Sequence, residues 1–155
     1  MNKFLTIILM TITLTSFGQT TWKSLDDIPK KWIMLERDSL GYLVYDPCNG
    51  GTPVITIDSG YVTIYWRLDA PSKLVINKFT RLTGNRSFYI NAADQGGNME
   101  FTAILKNDRQ VLALWTFGDF KWVMTPYENK EKFRQVDNPC PTEMKPENQF
   151  LPVEY

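Results

Sequence analysis

The chain has 155 residues, with 17 basic and 17 acidic side chains and no histidine. A formal charge near zero gives no electrostatic reason to expect nucleic acid or an anionic membrane as a partner. The absence of histidine excludes catalytic triads and most zinc sites, because both depend on imidazole.

The N-terminus has the pattern of a secretory signal peptide. Met1-Asn2-Lys3 supplies a positive start, the apolar run Phe4–Leu14 follows, and Ser16-Phe17-Gly18 supplies small residues for a peptidase. An uncleaved membrane anchor is the alternative, but a span needs about 20 apolar residues. We therefore predict cleavage after Gly18 and a secreted or periplasmic mature chain, Gln19–Tyr155, with no membrane span.

Short runs of alternating apolar and polar side chains follow one another along the mature chain, and each predicts a β-strand. Turn-forming residues such as Asp58-Ser59-Gly60 separate the runs at a spacing typical of hairpins. The expected strands are Trp32–Leu35, Leu40–Tyr45, Val54–Ile57, Tyr61–Leu68, Leu74–Phe79 and Ser87–Ala92, followed by three strands within Met99–Met124. The sequence thus predicts an all-β, antiparallel meander.

The stretch Met99–Met124 bears on the architecture, because its strands are apolar on both faces. One face of each strand is strongly apolar, and the turns between them are Asn107-Asp108-Arg109 and Gly118-Asp119. The opposite face also carries apolar residues, namely Ile104, Leu112, Leu114 and Val123. Such a sheet must be covered on both sides or closed on itself. We expect a small barrel, with a β-sandwich as the alternative.

A short C-terminal helix is expected after the last strand. Thr125 would be its N-cap, with Pro126 at the first helical position, and the helix would run to about Val136. Glu128 and Lys132 would pair across one turn. From about residue 141 the chain should form an extended tail, still part of a single β domain over residues 19–155.

The two cysteines, Cys48 and Cys140, lie beside prolines in loop-like contexts. An exported protein meets an oxidising compartment, so a disulfide between them is expected. Closing so long a loop would contribute on the order of 4 kcal/mol. The alternative is two free thiols, one of them reactive.

Motifs for catalysis are scarce. The sequence has no glycine-rich phosphate loop and no dinucleotide fingerprint. A hydrolase built on two carboxylates stays possible, although the acidic residues fall mostly in turns, where Asp is favoured for backbone reasons. We expect no enzymatic activity, no catalytic residue, no cofactor and no metal.

The aromatic residues carry the remaining signal, and most lie at core-facing positions of their strands. Tyr61, Tyr65 and Arg67 are the exception, because they alternate with a more apolar face, and Tyr89 shows a similar alternation. Inside a barrel, these four residues could line a pocket for a small hydrophobic or amphipathic ligand. On a sandwich, they would form an exposed patch for a protein or a glycan.

The chain resembles the lipocalin or calycin group of secreted β-barrels. The resemblance consists of Trp32 on the first strand, the antiparallel meander, the helix Pro126–Val136 after the last strand, and a disulfide tying the following tail to an early part of the barrel. Lys30 stands where that family has a glycine. The resemblance implies that the cavity binds small hydrophobic molecules and that Trp32 is a structural residue of its floor.

We therefore expect a non-catalytic exported protein that holds an apolar or amphipathic ligand in a barrel cavity. The alternative is a secreted interaction module or inhibitor that uses a surface aromatic patch.

Overall fold

The computed structural model describes residues 22–82, 84, 86–107 and 111–138. The predicted signal peptide, the predicted tail from residue 141 and Cys140 lie outside these residues, so the corresponding expectations stay predictions. The described chain forms ten strands, which are β1 (Lys31–Asp38), β2 (Gly41–Asp46), β3 (Val54–Asp58), β4 (Tyr61–Tyr65), β5 (Ser72–Arg81), β6 (Ser87–Asp94), β7 (Gly97–Asn107), β8 (Leu112–Phe117), β9 (Phe120–Pro126) and β10 (Arg134–Asp137).

Eight of these strands form a closed antiparallel barrel in the order β1, β3, β4, β5, β6, β7, β8, β9. The barrel closes because β9 pairs with β1, from Trp32 opposite Pro126 to Leu35 opposite Val123. Each barrel strand therefore has a neighbour on both sides, which removes the exposed edges of an open sheet. The predicted all-β meander and its closure are confirmed, and the sandwich alternative does not apply.

β1 changes partners along its length. Its first residues, Lys31–Ile33, pair with β3, whereas its last residues, Glu36–Asp38, pair with β2. β10 then joins β2 in parallel, from Arg134 opposite Leu43 to Asp137 opposite Asp46. β2 and β10 thus extend the sheet beyond the barrel.

The barrel interior consists of the alternate side chains that period two predicts. In β4, Val62 and Ile64 are buried, whereas Tyr61 and Tyr65 on the other face are exposed. The other strands contribute Trp32, Ile55, Ile57, Leu74, Phe88, Ile90, Ala92, Phe101, Ala103, Leu105, Ala113, Trp115, Phe117 and Met124 to the same buried cluster. Removing this apolar surface from water is the main stabilising contribution, at roughly 25 cal/mol per Å².

A second apolar cluster lies on the opposite face of β1 and β8. We call it the outer cluster, and its buried members are Ile33, Leu35, Val44, Leu112 and Phe133. Val123 and Tyr127 pack against it. The C-terminal segment therefore covers part of the apolar outer face of the barrel, while Ile104 on β7 stays exposed.

The C-terminal helix differs from the prediction in type and length. Thr125 is buried at the end of β9, Pro126 takes the N-cap position, and a 3₁₀ helix covers Tyr127–Lys132. Residues 134–137 form the strand β10 where the end of a helix was expected. Their extended backbone pairs with β2, and Phe133 enters the outer cluster.

The tighter winding of this 3₁₀ helix also removes a predicted contact. With about three residues per turn, positions four apart no longer stand over one another as they do in an α-helix. The structure accordingly shows no ion pair between Glu128 and Lys132, and Lys130 pairs with Glu131 instead.

The loop between β2 and β3 packs closely against the backbone that follows β4. Gly50 in this loop has a φ of +82°, and a Cβ added to it would lie 1.7 Å from the carbonyl oxygen of Arg67. Glycine is therefore required both for the backbone conformation and for the close approach. Cys48 lies in the same loop, and its pairing with Cys140 stays a prediction.

Candidate functional site

One end of the barrel is filled by aromatic rings. Trp22, which precedes the 3₁₀ helix Leu25–Asp27, packs against Trp32 at 5.8 Å and Phe88 at 5.2 Å between ring centroids. Trp115 packs on the inner side of this group, with its ring 5.3 Å from Phe88 and its backbone opposite Trp122 on β9. All four rings are buried, so we call this end of the barrel the closed end.

Hydrogen bonding at the closed end is uneven. The indole nitrogen of Trp32 donates to the carbonyl oxygen of Pro29 at 2.8 Å. The indole nitrogens of Trp22 and Trp115 are buried without an acceptor among the described residues. Each such buried donor costs about 1–3 kcal/mol, and edge-on contacts among large rings offset part of that cost. The closed end is thus held mainly by ring packing.

The opposite end carries a second aromatic group, which we call the rim cluster, and its members are Trp66, Phe117, Phe120 and Trp122. Trp66 lies 5.4 Å from Trp122 and 5.2 Å from Phe120, measured between ring centroids. Phe117 lies beneath, 4.7 Å from Trp122 and only 1% exposed. Phe120, in contrast, is 48% exposed, and both tryptophans are half-buried.

Strand parity and one tight turn assemble the rim cluster. Phe120 and Trp122 share the face of β9 that also carries the buried Met124. The turn at Gly118-Asp119 reverses the chain, so that Phe117 on β8 lies directly opposite Phe120 on β9. These side chains therefore belong to the inward face of the barrel, but they lie at its end, next to solvent.

Trp66 reaches the rim from the opposite direction. It continues the inward parity of Val62 and Ile64 one position beyond the end of β4. Its indole nitrogen donates to the hydroxyl oxygen of Ser72 at the start of β5, at 3.0 Å. This bond fixes the ring at the mouth of the barrel and satisfies its polar atom, so the remaining ring surface is available for apolar contact.

The residues predicted to line the cavity lie elsewhere. Tyr61 and Tyr65 occupy the outer face of β4, and Lys73 Nζ lies 4.1 Å from the centre of the Tyr61 ring. Arg67 Nη2 pairs with Glu36 Oε1 at 2.6 Å. From these positions the side chains could contact a ligand only outside the barrel interior.

Tyr89 is also separate from the other three predicted residues. It lies on β6, where it is opposite Thr80 of β5 and Thr102 of β7. Its hydroxyl donates to Glu100 Oε1 at 2.8 Å, and this hydrogen bond raises the pKa of Tyr89 above its ordinary value. The structure does not bring the four predicted residues together, and their role in binding stays a prediction.

The rim residues were missed because alternation makes them indistinguishable from core. Phe120 and Trp122 have the same period-two pattern as Met124, and Trp66 has the same pattern as Ile64. Only the stagger of neighbouring strands decides which members of an inward row lie at an end. The one available signal was position beside a turn, since Phe120 directly follows Gly118-Asp119.

Comparison with known proteins adds no assignment, because no family model, no curated protein and no solved structure matches this chain. Among the described residues, no helix combines the length and apolar character that crossing a bilayer requires. Within the same ranges, no group of three or more His, Cys, Asp or Glu residues is placed to hold a metal ion.

Proposed function

We propose that the protein binds a small apolar or amphipathic molecule at the open end of its barrel, against the rim cluster, without catalysing a reaction on it. The observation that carries this proposal is the 48% exposure of Phe120, an inward-parity ring that completes an aromatic group with the half-buried Trp66 and Trp122. An apolar surface left open to water at the end of a barrel is suited to a ligand.

The arrangement of the rings favours a compact ligand. Phe117 forms a buried floor, and the rings of Trp66 and Trp122 stand at 79° to each other beside it. A ligand resting on the exposed ring of Phe120 would meet the faces and edges of Trp66 and Trp122 at once, which are the geometries that aromatic contacts prefer. The closed end is already filled by its own rings, so the ligand would occupy the mouth and not the centre.

The cellular location and the disulfide that we propose for the protein rest on the sequence. We place the protein outside the cytoplasm, with residues 1–18 removed and Cys48 joined to Cys140. A lipocalin-like relationship accords with the closed antiparallel barrel, and Trp32 lies at the closed end as a floor residue would. The ligand would then bind at the rim cluster and not in a deep cavity.

A second candidate function is recognition of a protein or glycan by the outer face of the barrel. The observation that favours it is the exposure of two tyrosines on one strand, since Tyr61 is 39% exposed and Tyr65 is 44% exposed. An exposed tyrosine offers a flat apolar ring and a polar hydroxyl, which suits a partly polar partner.

Three single variants separate the two functions. Phe120→Ser removes the exposed ring of the rim, Tyr65→Ser removes an exposed ring of the outer face, and Ile104→Ser is a matched control on another exposed apolar position. Each is tested for stability and then titrated with molecules that co-purify with the protein, as identified by native mass spectrometry. Tryptophan fluorescence reports binding at the rim, because Trp66 and Trp122 lie there.

We expect Phe120→Ser to weaken binding about tenfold, because a buried aromatic contact contributes roughly 1.5 kcal/mol or more. Tyr65→Ser and Ile104→Ser should bind as the unmodified protein does. Loss of binding in Tyr65→Ser alone would support the outer-face function, and equal binding in all three variants would contradict both.

A further inference from the structure

A groove outside the barrel combines apolar surface with positive charge. It lies between the β1–β2 hairpin and the junction of the C-terminal 3₁₀ helix with β10, and it has a volume of about 480 Å³. We call it the hairpin groove, and its lining residues are Leu40, Gly41, Tyr42, Lys132, Phe133 and Arg134. It shares no residue with the rim cluster.

The apolar part of the hairpin groove is an opening into the outer cluster. Phe133 is a buried member of that cluster, and Tyr42 packs against it while remaining half-buried. Leu40, at the tip of the hairpin, is 82% exposed and has its amide nitrogen bonded to Asp38 Oδ1 at 2.9 Å. An exposed leucine above a tyrosine and a phenylalanine forms a surface that an apolar body can cover.

The charged residues that line the hairpin groove are cationic. Lys132 is exposed and forms no ion pair with a described residue, and the Arg37 guanidinium carbon lies 5.7 Å from the centre of the Tyr42 ring. Arg134 is held by the carboxylate of Asp38. The residues that line the groove therefore include two cations, Lys132 and Arg134, and no acidic side chain.

We propose that the hairpin groove binds an amphipathic anion, meaning a molecule with a compact apolar body and a single carboxylate, sulfonate or phosphate group. The body would cover Leu40, Tyr42 and the edge of Phe133. The anionic group would lie beside Lys132, since Arg134, the other lining cation, already pairs with Asp38. The site is independent of ligand binding at the rim and goes beyond it.

Two probes with the same rings test the charge requirement. Anilinonaphthalene sulfonate carries one sulfonate, and phenylnaphthylamine has the same rings without it. Each is titrated into the isotope-labelled full mature chain while backbone amide shifts are followed by NMR. Amides of Gly41 and Phe133 report the hairpin groove, and amides of Phe120 and Trp122 report the rim.

The sulfonate should shift the groove amides, and added salt should weaken this binding because the charges are exposed. Lys132→Gln should weaken it about fivefold, as expected for loss of one exposed charge pair. The matched control is Lys121→Gln, an exposed lysine on β9 next to the rim, and it should change groove binding less than twofold.

The proposal is overturned if the sulfonate shifts only rim amides, if the neutral probe occupies the groove equally well, or if both lysine variants weaken groove binding alike. Phe120→Ser separates the two sites, because it should weaken binding at the rim about tenfold and leave groove shifts unchanged. Groove binding that survives in this variant supports the groove whatever happens at the rim.

Discussion

At the scale of single residues, Gly50 determines how the loop between β2 and β3 packs against the turn after β4. Gly50 combines a positive φ with an approach to the Arg67 carbonyl that excludes any Cβ. This contact joins the β2–β3 loop to the turn after β4. Arg67 in that turn directly follows Trp66 at the mouth of the barrel. A backbone change here should therefore affect both stability and the candidate site.

Gly50→Ala should destabilise the protein by at least about 2 kcal/mol, because the new methyl group adds a clash to the strain of a positive φ. Gly60→Ala is the matched control, since Gly60 has a φ of +90° but open space around its Cβ position. It should cost about 1 kcal/mol from backbone strain alone. Urea unfolding of both variants measures the difference, and equal losses would contradict the close approach.

At the scale of elements, the C-terminal segment is attached to the barrel by several weak connections. β10 pairs in parallel with β2, Phe133 enters the outer cluster, and Arg134 pairs with Asp38 on β1. Asn138 continues this attachment, because its amide nitrogen donates to the carbonyl oxygen of Asp46 at 2.9 Å. The segment thereby forms one wall of the hairpin groove.

The Asp38 carboxylate should show this attachment in its titration. The Arg134 guanidinium and the Leu40 amide hold the pKa of Asp38 below its ordinary value of 3.8. Because the folded-state pKa is lowered, the contribution to stability is present above pH 3.8 and is lost as the pH falls through the folded-state value. NMR titration of the carboxyl carbon measures the midpoint.

Arg134→Gln tests the cause of this shift, because it removes the charge and keeps much of the side chain. The midpoint of Asp38 should then rise toward 3.8. Amide exchange in β10 should become faster in the variant, since one of its connections to β1 is lost. An unchanged midpoint would show that the pair does not form in solution.

At the scale of the whole molecule, the barrel divides into a filled end and an open end. The rings of Trp22, Trp32 and Phe88 close one end, with Trp115 packed on their inner side, whereas the rim cluster leaves the other end partly exposed. Interior packing should therefore determine stability, and the exposed ring of Phe120 should contribute mainly to binding.

Two neighbouring phenylalanines test this division, because Phe117 and Phe120 are paired across the same turn. Phe117→Ala should lower the free energy of unfolding by about 3–5 kcal/mol, as expected for truncating a buried aromatic side chain. Phe120→Ala should lower it by about 1 kcal/mol or less, since much of that ring already contacts water. Thermal and urea unfolding compare them, and similar losses would contradict an exposed rim.

The alternation of side chains was enough to predict nine of the ten strands of the described chain and to divide their residues between two faces. Alternation in Tyr61–Leu68 separated Tyr61, Tyr65 and Arg67 from a more apolar face, and the apolar groups on both faces of Met99–Met124 predicted a closed or doubly covered sheet. These conclusions were accessible because the direction of a side chain in a strand depends only on local backbone geometry.

The remaining features depend on contacts between distant parts of the chain, and the sequence did not predict them. The stagger of the strands placed Phe120 and Trp122 at the rim and left Met124 in the core, although all three share one face. The choice of the barrel interior placed Tyr61, Tyr65 and Tyr89 on the outside. Residues 134–137 form a strand paired with β2, whereas the helix was expected to run to about Val136. Backbone hydrogen bonds and the burial of Phe133 outweigh the local helix signal there.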